Sequence, residues 1–229
     1  MKLAAIVTGM MLAVGAWGQS TTTTTNYTIG LAIPDNNFSG LASTKTFSSP
    51  ITALTDLNVF LNISGTYNGD LYAYLTYQSG FSVLLNRVGR RTGSSLGYGD
   101  DGINVTLDDE GANGDIHVYR LTLNGSHTIG LTGGLTNTTG GVGWLPDGRN
   151  IDPTVSLDST TRTALLSSFD GLNPNGNWTL FVADVNGGDL STLVSWGLEA
   201  VGTVPEPGTT VLLALGGLGL LVLAGRRRR

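Results

Sequence analysis

The side chains best able to do chemistry in this sequence are carboxylates. Asp100-Asp101 and Asp108-Asp109-Glu110 are the densest acidic clusters, and Asp115 follows closely. Asp70 and Asp184 stand where turn signals meet alternating runs. Calcium takes about six to eight hard oxygens, and loops rich in Gly and Asp supply carboxylates and backbone carbonyls together. Asp70, Asp100, Asp101, Asp108, Asp109 and Asp184 are therefore the candidate calcium ligands. The stretch Asp184-Val185-Asn186-Gly187-Gly188-Asp189 opens like an EF-hand loop, but its twelfth position is Ser195, where that loop requires Glu. The plainer role for each acid is to cap a turn and keep the surface hydrated.

Bond-breaking chemistry has less to work with. Cysteine is absent, which excludes a thiol nucleophile, thiolate zinc sites and a disulfide scaffold. A hydroxyl nucleophile needs a histidine base held by a carboxylate, and only His117 and His127 are present. Asp115 and His117 are two apart, a spacing that puts both on one face of a strand but is too common to indicate a triad. No Gly-x-Ser-x-Gly elbow occurs. A glycosidase pair would have to draw on Glu110 and Glu199, the only glutamates of the central region, and on its aspartates. Tyr72 and Tyr74 alternate along one run, with Tyr77 near. Such rings can stack on sugars, or they can form a sheet face that a loop covers.

These groups are carried on a β-rich body. In the 229-residue chain, 13% of residues are charged and 34 are Gly. Setting aside Lys2, Glu206 and the four terminal arginines leaves seven basic against sixteen acidic residues, a body of about −9. That balance argues against nucleic acid as a partner and suits cations. Period-two runs recur: Leu57–Ile63, Leu71–Thr76, Phe81–Leu85, Ile103–Leu107, Val118–Leu123, Trp178–Ala183 and Val194–Ala200. Asn68-Gly69, Asn124-Gly125 and Asn186-Gly187 are turn signals between them. Trp178 and Trp196 read as core. The spacing predicts one short helix around Thr160–Ser168 and a long loop over Gly130–Gly143. The pattern predicts an all-β antiparallel sandwich over residues 29–202.

The two ends read as addresses. Lys2, the apolar run Leu3–Ala16 and Ala16-Trp17-Gly18 form a secretory signal peptide over residues 1–18. Residues 19–28 read as a Thr-rich, disordered linker. At the other end, Pro205-Glu206-Pro207 precedes an uncharged stretch from Thr209 to Gly225, then Arg226, Arg227, Arg228 and Arg229. That stretch is long enough for a short transmembrane helix, with its arginines on the cytoplasmic side. The three parts, in this order over residues 203–229, resemble the PEP-CTERM sorting signal of exported bacterial proteins. The resemblance implies recognition and cleavage by an exosortase-type enzyme, a Gram-negative-type envelope and an association with exopolysaccharide.

Two stretches of the body resemble the P domain (Homo B) of proprotein convertases. One is Asp56–Ile63 followed by Thr66-Tyr67-Asn68-Gly69-Asp70-Leu71. The other is Phe169-Asp170-Gly171, Asn173–Leu180, Val182-Ala183-Asp184 and Ser195-Trp196-Gly197-Leu198. Gly65 stands where the family often has His, and Tyr77-Gln78-Ser79-Gly80 replaces its Ser-Pro-Ser-Gly. The resemblance implies a jelly-roll-like, galactose-binding-like sandwich, and calcium in some members. The subtilisin-like catalytic domain that usually precedes a P domain has no counterpart in this sequence. The expectation is an exported, non-catalytic surface or matrix protein with a structural or adhesive role. A carbohydrate-binding module and an accessory acting on a protease in trans are the alternatives.

Overall fold

The computed structural model describes residues 19–138, 141 and 143–205. Among these residues nine strands form: β1 (Gln19–Ile33), β2 (Leu41–Phe47), β3 (Ala53–Gly65), β4 (Leu71–Tyr77), β5 (Gly80–Asn86), β6 (Ile103–Leu107), β7 (Leu135–Thr136), β8 (Gly176–Asp184) and β9 (Ser191–Val204). They lie in two sheets, ordered β1-β9-β3-β6-β7 and β2-β8-β4-β5. From β1 to β4 the chain changes sheet at every step, and it changes again from β5 to β6, from β7 to β8 and from β8 to β9. This is jelly-roll connectivity, the all-β sandwich that the alternation predicts. The compact unit built this way spans Ser20–Thr203.

Alternation fixes what each face does. Leu57, Val59, Leu61 and Ile63 of β3 point inward, as do Leu71, Ala73 and Leu75 of β4. Trp178 and Trp196 are fully buried, and each indole N–H is satisfied, by Pro174 O at 2.8 Å and Ser43 Oγ at 3.0 Å. In β9 a register shift between Asn62 and Ile63 of its partner makes Val194 the extra residue, so Leu193 rather than Val194 enters the core.

Two local expectations are corrected. Residues 19–28 are not a disordered linker but the first part of β1. Threonine is β-branched and suits a pleated strand, and Tyr27 anchors the strand by packing its ring 5.0 Å from Trp196. Val118–Leu123 is not a strand. A 3-10 turn at Ile116–Val118 leads into the short helix α1 (Tyr119–Asn124). Asp115 Oδ1 accepts the His117 N–H at its start, and Gly125 closes its end with φ +65° and an N–H bonded to Leu121 O. Asn124-Gly125 is thus a helix stop, not a hairpin turn.

The region around Thr160–Ser168 holds only a 3-10 turn at Leu166–Phe169, and the loop after Gly130 contributes the two-residue β7. No helix among the described residues is long and apolar enough to cross a membrane. The signal peptide and the C-terminal span expected from the sequence lie outside the described residues.

Candidate functional site

His117 is the group that most resembles a catalytic base, and its surroundings close it off. Both it and Asp147 are fully buried. His117 Nδ1 lies 2.8 Å from Asp147 Oδ2, and Nε2 lies 2.9 Å from Arg90 O. Both partners are acceptors, so both ring nitrogens donate and the imidazole is held as a cation. Burial opposes that charge, but attraction to Asp147 outweighs it and raises the His117 pKa. Burial likewise opposes the Asp147 charge, and His117 and Arg149 together hold its pKa below the ordinary value. Arg149 also binds Asp115 Oδ2 at 2.7 Å. The cluster ties the turn at Asp115 to the loop at Asp147, a structural role. His127 pairs with Tyr98 Oη at 2.5 Å through Nδ1.

The six candidate calcium ligands do not come together as one group. Asp100 is enclosed by protein donors: Tyr119 Oη at 2.6 Å, Arg120 through two bonds, and the Leu131 N–H at 2.7 Å. Burial raises its pKa, and these donors reverse the effect and lower it. Asp101 is exposed. Asp109 caps the 3-10 turn by accepting the N–H groups of Leu166 and Ser167. Asp108 meets Asp56 and Glu110, with carboxylate oxygens within 4.8 Å of one another. Asp56 lies in an alternating strand, where nothing in the sequence marks it.

Asp70 and Asp184 do meet, at one end of the four-stranded sheet where Leu71 of β4 is the register partner of Asp184. Both are fully buried. Asp70 Oδ1 pairs with Arg87 at 3.2 Å, and Oδ2 has only a long contact with Asn186 Nδ2. Asp184 Oδ1 accepts the Asn186 N–H at 3.4 Å, and Oδ2 is buried without a donor. Asp35 and Asp189 flank the corner: Asp35 accepts the Gly188 N–H and Asp189 accepts Thr66 Oγ1. Burial pushes the Asp184 carboxyl up to about 6, and Asp70, Asp35 and Asp189 add to the rise. The corner thus holds one uncompensated carboxylate with Asp70, Asp35 and Asp189 near enough to raise its pKa, whereas among the described residues the three carboxylates that converge within 4.8 Å are Asp56, Asp108 and Glu110. Asp189 was visible in the Asp184–Asp189 stretch. Asp35 carried no signal beyond its turn.

Tyr72 and Tyr74 share the outer face of the same sheet, where Phe81 and Phe181 join them. Tyr74 stacks on Phe181 at 4.8 Å and lies 5.2 Å from Phe81, and Tyr72 lies 5.9 Å from Tyr74. All four rings are partly exposed. Beside them, on β2 and β8, the hydroxyls of Thr44 and Thr179 lie 2.8 Å apart, and Thr46 Oγ1 donates to Asn177 Oδ1.

Residues 203–229 match the PEP-CTERM protein-sorting motif. The chain carries the sorting signal of an exported protein handled by an exosortase-type enzyme. Pro205 is the last described residue, and Glu206, Pro207 and Arg226–Arg229 lie outside the described part. No curated protein matches the chain. Among solved structures it is similar to a serine protease of Aeromonas sobria in complex with its chaperone, at 16% identity and a TM-score of 0.43, over 81% of this chain and 27% of that one. It is similar to the same protease alone at 16% identity and 0.42, over 83% of this chain and 28% of that one. The chain thus spans little more than a quarter of these proteins.

Proposed function

We propose that this is a non-catalytic protein of the bacterial cell surface or extracellular matrix, with a structural or adhesive role. The sorting motif over residues 203–229 carries this reading. The engagement of both His117 nitrogens supports the non-catalytic part. Calcium at the Asp184 corner belongs to the same reading, supported by the donorless Asp184 Oδ2. The intact mass of the protein recovered from the envelope tests it. Loss of residues 1–18 and cleavage near Pro205-Glu206-Pro207 are expected. Full-length chain in the cytosol overturns it, and co-purification of a subtilisin-like enzyme favours the protease-accessory role instead.

The ring cluster favours a second reading, a carbohydrate-binding module acting on exopolysaccharide or other envelope glycans. Affinity electrophoresis in gels containing the native exopolysaccharide checks it. Retardation that disappears in Tyr72→Ala/Tyr74→Ala is expected, and equal migration with and without the glycan refutes it.

A further inference from the structure

A strand at the edge of a sheet exposes a row of N–H and C=O groups that can pair with another strand, and proteins blunt such edges. Three of the four edges here are blunted. β7 is two residues long. β5 is covered by a loop: the Val83 N–H donates to Ala164 O at 3.1 Å, and the Asp147 and Gly148 N–H groups donate to Leu84 O and Val83 O. β2 is seven residues long, carries Lys45, and has its Thr46 carbonyl bonded by Tyr27 Oη at 2.9 Å.

β1 is different. It is the outer strand of the five-stranded sheet, 15 residues long, with no Pro, Lys, Arg, Asp or Glu. No described strand pairs with its outer edge. Positive φ at Gly30 bends it, so the straight run covers residues 19–29, on the order of 35 Å. Thr22, Thr24, Asn26 and Thr28 are exposed along that run.

We propose that this bare edge of β1 pairs with β1 of a second copy, joining two sandwiches through one continuous sheet. The residues favour a second copy over a foreign strand. The tract Thr21–Thr25 sets threonine against threonine in several registers, and cross-strand threonine pairs are stabilising. Two bodies of about −9 repel elsewhere, but along this edge no like charges meet. An acidic or basic partner finds no complementary charge on it. A two-fold contact of one strand with itself is self-complementary and closes at a dimer. The pairing goes beyond the surface role proposed above and stands or falls independently of it.

The chain has no cysteine, so a single introduced one reports only its own contact. Cysteine placed in turn at Thr22, Thr24, Asn26 and Thr28 of the full chain, followed by mild oxidation, gives disulfide dimers at about tenfold the yield from Gln78→Cys, an exposed turn position. Adding lysine at two of the remaining positions, such as Thr22→Lys/Thr28→Lys with Thr24→Cys, suppresses the dimer. Mixing that variant with Thr22→Glu/Thr28→Glu carrying the same cysteine restores it, which a misfolded strand does not allow. Dimer yields from β1 no higher than from Gln78, or yields unaffected by the lysines, overturn the proposal.

Discussion

Asp184 and His117 are both buried, but their charges are met in opposite ways, and stability should depend on pH through each. Asp184 has a folded pKa of about 6 against an ordinary 3.8, so the folded protein binds this proton more tightly than the unfolded chain. Its contribution is present in acid and is lost as pH rises through about 6. Without divalent cations the melting temperature should therefore fall between about pH 4 and pH 7. Calcium should restore it at pH 7 and do little below about pH 5, where the carboxyl is protonated. Asp184→Asn removes the unsatisfied charge, so at pH 7 in chelator it should raise stability by about 1 kcal/mol, a melting temperature roughly 2–4 °C higher, and abolish the calcium response. A calcium response that survives the substitution rules out this corner. His117 has the same sign for a different reason: its charged form is the paired one and its pKa is raised, so its stabilisation is complete below about 6.5 and is lost as pH rises through the folded value. His117→Gln should cost about 3 kcal/mol near pH 6 by leaving the buried Asp147 with only Arg149 as a cationic partner, and the loss should shrink in alkali. A cost that is flat with pH, read from denaturant melts, refutes the ionised pair. The sequence placed Asp184 at a strand end, where it lies. It did not reveal Asp147 as the partner of His117, because the stretch between them, 30 positions apart, carries no pattern that brings the two loops together.

At the scale of elements, period-two alternation sufficed wherever one strand face is buried by the opposite sheet. The runs in β3, β4, β5, β6 and β8 were legible for that reason. It failed where an apolar run has no core to face. In Val118–Leu123 only Tyr119 is fully buried, while Leu121 and Leu123 stand 44% and 39% exposed. The backbone there follows its caps, Asp115 and Gly125, and those same residue types also signal a hairpin. The threonine tract of β1 failed in the opposite sense. Its composition reads as a soluble linker, but its neighbour is an interior strand, β9, which supplies the ladder that an isolated chain lacks. Val194 shows the finest limit: the alternation was right, and one bulge moved the core position to Leu193. The site residues divide on the same line. Tyr72 and Tyr74 share a face because they share a strand, whereas Phe81 and Phe181 reach them only through cross-strand register.

For the whole molecule, the C-terminal address was readable because its three parts are contiguous, while the strand order was not, because it is set by pairings between distant residues. The order has a consequence for folding. β9 is the last strand of the body, and it lies between β1 and β3, with Trp196, Leu198 and Ala200 in the core. Until residues 191–204 are available, β1 has no partner and one edge of β3 is unpaired, so the five-stranded sheet is incomplete and cannot close over the other. Non-local pairing of this kind also makes folding slow. A chain ending at Asp189 should therefore show no cooperative thermal transition by circular dichroism, although it keeps eight of the nine strands. The matching truncation at Val204 should melt in one step. Such a body would remain open while its earlier strands cross a membrane, which suits export ahead of folding. A cooperative melt from the Asp189 truncation, within about 10 °C of the Val204 chain, would show that β9 docks on a sandwich already formed and would remove this link between topology and export.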